Sequence, residues 1–241
     1  MPGVLHNQIP LLGPKAEFAT LTVSGNDVGF PNLVNACVYR FVGWRSGVCE
    51  DEIRRTQGLI DGDALKEHIW YILGNVTAKG VAQVPTFRLF MTGYAAFFNE
   101  DTTQCDGVTF RRCIAPAPLC WFDVSTTLTR KLRRNLNRLV TNLNRRLAGI
   151  VGEFNSEIER TAVEFIDYNK EFDGHRLCEV GVDEPNNDPT WSWFYNVDTK
   201  DELSKVDDRQ RLERALHPTA SGHKMIGKKI GAAIHQHFGV D

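Results

Sequence analysis

Phe18-Ala19-Thr20-Leu21-Thr22-Val23-Ser24-Gly25-Asn26-Asp27-Val28-Gly29-Phe30 is the stretch that decides how this chain folds. Its first six residues are apolar and β-branched, the composition of a short strand. Ser24-Gly25-Asn26-Asp27 then supplies residue types that dominate turns. The turn therefore sits at a strand's C-terminal end, where open α/β sheets hold their ligands.

Working outward, strands and helices alternate, the pattern of a parallel sheet covered by helices. Between Asp51 and Lys79, Leu59, Ile60, Leu65, Ile69, Trp70, Leu73 and Val76 recur at helical spacing, with Gly62 as a break. A second strand is predicted from Phe87 to Thr92. Residues Ala95 to Ser125 are rich in Cys, Asp, Thr and Pro and read as a long, disulfide-pinned loop, of a kind that is often functional. Leu128, Leu132, Leu136, Leu139, Val140, Leu143 and Leu147 mark an amphipathic helix predicted to end near Gly149. A third strand spans Val163 to Asp167, and a last helix follows Pro218.

The 241 residues, 42% hydrophobic and 24% charged, are enough for one globular domain covering 1–241. A net charge of -2 argues against a general nucleic-acid binder. No apolar run is long enough to cross a bilayer.

The six cysteines, Cys37, Cys49, Cys105, Cys113, Cys120 and Cys178, have neither Cys-x-x-Cys nor Cys/His zinc spacing. Disulfides are favoured over metal, and with them an oxidising compartment. Cys37 and Cys49 close a short loop and are the preferred pair, while the other four allow three pairings. The sequon Asn75-Val76-Thr77 agrees with secretion.

Thr20 to Phe30, taken with His217-Pro218-Thr219-Ala220-Ser221-Gly222-His223, resembles the third and fifth conserved blocks of the SGNH (GDSL-type) hydrolases, most closely the fungal and actinobacterial secreted esterase and lipase branch. Thr92-Gly93-Tyr94-Ala95, Thr102-Thr103-Gln104-Cys105 and Gly174-His175-Arg176-Leu177-Cys178-Glu179 are similar to segments of the fungal secreted members. The resemblance implies a flavodoxin-like α/β/α sandwich with a five-stranded parallel sheet. It also implies hydrolysis of carboxylic esters of lipids or acylated sugars without metal or organic cofactor. The family's Gly-Asp-Ser nucleophile turn lies upstream of the Asn block, and no such turn precedes Ser24. Met1 to Gln8 has no signal-peptide pattern. An N-terminally truncated chain, inactive alone and lacking the first strands, accounts for both absences. The Phe18 to Val23 strand would then carry an unpaired apolar edge.

By this resemblance Asn26 is the oxyanion donor, since its NH2 donates without deprotonating. His217 is the base that takes the serine proton and returns it to the leaving alcohol. The position three before the base, acidic in the family, is Arg214. Glu213 is one residue off, and some members hold the imidazole with a backbone carbonyl instead. Ser24, where the family keeps Gly, adds a Cβ and hydroxyl, and is not read as the nucleophile. Gly62-Asp63-Ala64-Leu65 imitates the Gly-Asp-Ser-Leu signature by coincidence. His223 is structural, and Gly222 lets the last helix approach the sheet.

Trp191 and Trp193 either line a substrate pocket or pack their own loop. Arg130, Lys131, Arg133, Arg134, Arg138, Arg145 and Arg146 make one helix strongly basic. Such a face is most simply solvated and neutralised by acidic neighbours, and otherwise binds an anionic surface. The alternative function is a non-catalytic glycan- or membrane-binding module.

Overall fold

The computed structural model describes residues 8–41, 46–111, 126–182, 184, 191–196 and 214–239. Cys113, Cys120 and Glu213 lie outside them. Strand β1 (Phe18–Leu21) leads through the turn to a short helix α1 (Phe30–Val34) and a π-helical turn at Asn35–Tyr39. Helices α2 (Cys49–Asp61) and α3 (Asp63–Gln83) follow, then β2 (Arg88–Thr92), α4 (Arg130–Glu157), β3 (Val163–Ile166) and α5 (Ala220–Phe238).

The three strands form one parallel sheet in the order β1-β2-β3, with Phe18 opposite Arg88 and Leu89 opposite Val163. Successive side chains alternate between its faces. Leu89 and Met91 face the layer made by α2, α3 and α4 and join the main core with Leu73, Leu139 and Leu143. Phe90 points the other way, where Phe238 and His237 of α5 meet Phe18 and Phe90. The architecture is therefore a parallel sheet between helical layers, as the alternating pattern implies. Among the described residues β1 pairs on one side only, and its Phe18 is 40% exposed, in line with the expected open edge.

Local chemistry sets most boundaries. Gly62, with ψ 149°, breaks the helical run between α2 and α3 where the sequence places the break. Glu50, Asp51 and Glu52 occupy the first turn of α2, where negative charge complements the helix N-terminus. Gly80 has no substitute, because a Cβ there would come within 2.3 Å of the Phe87 ring and push α3 off β2.

Helix α4 departs from expectation. Thr129 caps its start by accepting from Leu132 N–H, but the helix does not stop near Gly149. It runs to Glu157. Gly149 and Gly152 each cost about 1 kcal/mol relative to alanine. Burial of Ile150, Val151 and Phe154 offsets this at roughly 1.5–3 kcal/mol for each large apolar side chain. The β1 and β3 ladders end at Leu21 and Ile166, short of the predicted Val23 and Asp167, because the chain there turns away to form loops at the sheet's carboxyl edge.

Three asparagines on the inner side of α4 dock it against extended backbone. Asn137 accepts from Phe98 N–H and donates to Phe98 C=O, Asn144 does the same with Tyr94, and Asn155 with Val163. A primary amide matches a peptide group donor for acceptor, so the buried Asn137 and Asn144 and the half-buried Asn155 are satisfied rather than costly.

Candidate active site

The β1 turn is built first. Thr22 and Thr92 hydroxyls meet at 2.5 Å across the ends of β1 and β2. The turn is closed by Val28 N–H to Ser24 C=O, Gly29 N–H to Asn26 C=O and Phe30 N–H to Gly25 C=O, at 3.0, 3.1 and 3.1 Å. Ser24 has φ 94°, a left-handed conformation that strongly favours glycine. Serine accepts that strain here. Its hydroxyl is buried against the Tyr94 phenol with no hydrogen bond of normal geometry.

Tyr94, at the end of β2, holds the turn from behind. Its phenol oxygen accepts Gly25 N–H at 2.9 Å, and a Cβ on Gly25 would press to 3.2 Å from the ring. Burial pushes the phenol's pKa up, the Gly25 N–H pulls it part of the way back, and the charge of Asp27 adds to the rise. Tyr94 is itself fixed by Asn144, which also donates to Asp167 beyond β3 at 3.2 Å. The Asn26 side chain is left exposed at the tip of the turn.

His217 is placed by a second set of backbone bonds. Phe194 and Pro218 form an antiparallel bridge, in which Tyr195 N–H donates to His217 C=O and Leu216 N–H to Tyr195 C=O, at 2.9 and 2.8 Å. Thr219 N–H reaches Trp193 C=O, and Trp193 N–H reaches His175 C=O, both at 2.8 Å. This ties His217 to the segment that leaves the carboxyl end of β3. Leu216, at φ 60°, turns the chain so that the His217 imidazole is exposed just before α5. Thr219 caps that helix by accepting from Gly222 N–H at 3.4 Å.

Gly222 does permit a close approach, but to a loop rather than to the sheet: a Cβ there would stand 2.7 Å from Trp193 C=O. Arg214, at the family's acidic position, lays its guanidinium 4.6 Å over the Tyr195 ring. Among the described residues no carboxylate pairs with His217, and Glu213 lies outside them.

A line of aromatic contacts connects the two segments. Tyr94 meets Phe30 at 6.0 Å, Phe30 meets Phe97 at 6.2 Å, and Phe97 meets Phe194 at 5.7 Å, beside Pro218 and His217. Both therefore lie along the carboxyl edge of the sheet. Trp193 stacks face to face on His175 at 3.8 Å and packs edge-on against Phe172, whereas Trp191 is 67% exposed. Two surface grooves, of about 750 and 370 Å³, lie elsewhere: one between α3 and α4 at Trp70 and Gly149, the other beside Cys105 and Val182. Neither is lined by Asn26 or His217.

Part of the basic helix is paired with nearby carboxylates. Arg130 and Arg134 pair with Asp106 and Asp101. Arg133 corrects the picture of a solvated basic face, since it is wholly buried. Its guanidinium donates to the carbonyls of Leu128, Asn99 and Thr102, to the Thr102 hydroxyl and to Asp106. The 99–106 loop is thereby fastened to α4, and Cys105–Cys178 fastens it to the segment after β3. Cys37–Cys49 is bonded as preferred from its spacing.

Tyr94, Asn144 and Arg133 are the residues that sequence reading missed. The available signal was polar side chains, Arg133, Asn137 and Asn144, within the apolar stripe of α4.

Two solved structures share this architecture. Phospholipase A1 from Streptomyces albidoflavus NA297 superposes with a TM-score of 0.60 and 19% identity over 95% of this chain and 75% of that one. An extracellular lipase from Streptomyces rimosus does so with 0.57 and 18%, over the same shares. The chain thus shares the α/β fold of this phospholipase and this extracellular lipase. No family model matches the sequence, and no curated protein matches it.

Proposed function

We propose that this chain serves a secreted carboxylic ester hydrolase of the SGNH type, with Asn26 as oxyanion donor and His217 as general base, acting on lipid or acylated-sugar esters. The observation that carries the reading is the joining of the two motif segments along one sheet edge through Phe30, Phe97 and Phe194. The lipase-like fold and the Cys37–Cys49 and Cys105–Cys178 disulfides support it. Trp191, being exposed, is the tryptophan available to meet substrate, while Trp193 packs on His175 and Phe172 and supports its loop. The base is held by backbone, with Glu213 as the candidate third member.

The 241 residues contain no Gly-Asp-Ser turn, and Gly62-Asp63-Ala64 begins a helix. Ser24 is a poor substitute, being only 1% exposed. We therefore expect negligible hydrolysis by this polypeptide alone, because losing the nucleophile of a serine hydrolase costs on the order of a millionfold in turnover.

Two measurements test this. Short-chain p-nitrophenyl esters and a fluorophosphonate probe should give neither turnover nor labelling with the 241 residues alone. Sequencing the transcript upstream of the Met1 codon should reveal an in-frame Gly-Asp-Ser segment. The protein that includes it should hydrolyse esters and lose about a hundred- to a thousandfold on Asn26→Ala. An extended protein whose esterase activity survives His217→Ala would overturn the assignment.

A further inference from the structure

Asn75-Val76-Thr77 plays no part in the site just described. It is the only Asn-x-Ser/Thr tripeptide in the chain. On α3 the residues Ile69, Leu73, Val76 and Gly80 turn inward, and Asn75 stands on the opposite, exposed side. Its Nδ2 donates to Tyr71 C=O at 2.7 Å, and Tyr71, one turn before it, is 58% exposed. Thr77 behaves in the opposite way. Only 6% exposed, it donates its hydroxyl to Leu73 C=O at 2.6 Å.

The folded chain therefore displays the amide nitrogen of the tripeptide and hides the hydroxyl that identifies it. A transferase that must read both can do so only before α3 forms. The Cys37–Cys49 and Cys105–Cys178 disulfides independently indicate passage through an oxidising compartment such as the endoplasmic reticulum lumen.

We infer that Asn75 carries an N-linked glycan, added while the chain is still unfolded. In the transfer, Asn75 Nδ2 forms a bond to C1 of the first N-acetylglucosamine of a lipid-linked pyrophosphate donor. The C1–O bond to the pyrophosphate breaks with its electron pair leaving on the phosphate oxygen, and one Nδ2 proton passes to a base. No redox change occurs. Asn75 lies past the midpoint of α3, which leads into the start of β2, so the glycan projects from the helical flank toward the amino edge of the sheet. The Ser24–Asn26 turn and His217 at the carboxyl edge stay uncovered, and the exposed Tyr71 ring lies within reach of the first sugar.

The test is expression of the chain behind a secretion leader in a eukaryotic host, reading both the microsomal and the secreted fractions. A single glycan should be removed by peptide:N-glycanase, leaving aspartate at position 75 by mass spectrometry. Asn75→Gln and Thr77→Ala should abolish the mobility shift, and Thr77→Ser should keep it. Folded, oxidised protein offered to microsomes should remain unmodified, whereas reduced and unfolded protein should be glycosylated. Recovery from the lumen of chain with both disulfides formed and Asn75 unmodified would overturn the inference. So would a glycanase-sensitive shift that persists in Asn75→Gln.

Discussion

The phenol oxygen of Tyr94 accepts the backbone N–H of Gly25 at 2.9 Å, so the turn that follows β1 hangs from a residue just past the end of β2. Tyr94→Phe keeps the ring and removes only that acceptor. An amide left part-buried without a partner costs about 1 to 2 kcal/mol. The Gly25 amide should then exchange with solvent faster than in the parent protein, a change that hydrogen exchange read by NMR would detect. Unchanged protection at Gly25 would show that the phenol does not hold the turn.

Ser24 at φ 94° gives a prediction of opposite sign. Ser24→Gly relieves a left-handed strain of about 1 to 2 kcal/mol and removes a buried hydroxyl without a good partner. The greater freedom of glycine in the unfolded chain returns about 0.5 to 1 kcal/mol of that gain. A small rise in Tm is expected for Ser24→Gly and a clear fall for Ser24→Val, both measurable by thermal denaturation.

Arg133 and Arg134 are neighbours with contrasting expectations. Arg133→Met strands three carbonyls and Asp106 at once, and should cost about 3 kcal/mol or more in urea unfolding. Arg134 meets Asp101 at 3.4 Å on the surface, and Arg134→Ala should change stability by no more than about 0.5 kcal/mol. Equal effects from the two would mean that the 99–106 loop is not fastened through Arg133.

Replacing Cys105 and Cys178 together by serine opens a loop of 73 residues in sequence separation. Loop-closure entropy puts the loss at about 4 kcal/mol, against about 3 kcal/mol for opening Cys37–Cys49 across 12 residues. Equilibrium unfolding of the two double variants should rank them in that order.

Stability should also respond to pH at both extremes. Burial raises the phenols of Tyr94 and Tyr168, and Tyr94 and Asp167 push Tyr168 further. A group raised in the folded state contributes fully below its free value, about 10 for tyrosine, and loses that contribution as pH climbs through the folded value. Tm should therefore drop from about pH 10 upward, and less steeply in Tyr168→Phe. On the acid side, the hydrogen bond from Lys229 of α5 holds the Glu171 carboxyl below its ordinary range. Its contribution is present above about pH 4.3 and vanishes as pH falls through the lowered value, so Lys229→Met should flatten the acid limb.

Much of this molecule was legible as sequence because the relevant forces act between near neighbours. Short apolar runs, β-branched in β1, marked the three strands, helical spacing marked α2, α3 and the body of α4, and Gly62 marked the break. A short spacing pointed to Cys37–Cys49. The turn at Ser24 to Asp27 and the segment at His217 could be singled out as motif blocks, because each is contiguous.

The tertiary structure alone decided which polar groups went inside and what held the motif blocks in place. Arg133 reads as one more cation on a basic helix until Leu128, Asn99, Thr102 and Asp106 converge on its guanidinium. Asn137 and Asn144 read as interruptions of an apolar stripe until Phe98 and Tyr94 offer them peptide groups. The end of α4 depended on Ile150, Val151 and Phe154 finding a core, which overrode two glycines. Tyr94 below Gly25 and Phe194 beside Pro218 join residues far apart in the chain. Desolvation and long-range hydrogen bonding depend on what the folded chain brings alongside, and the period of a sequence carries no record of it.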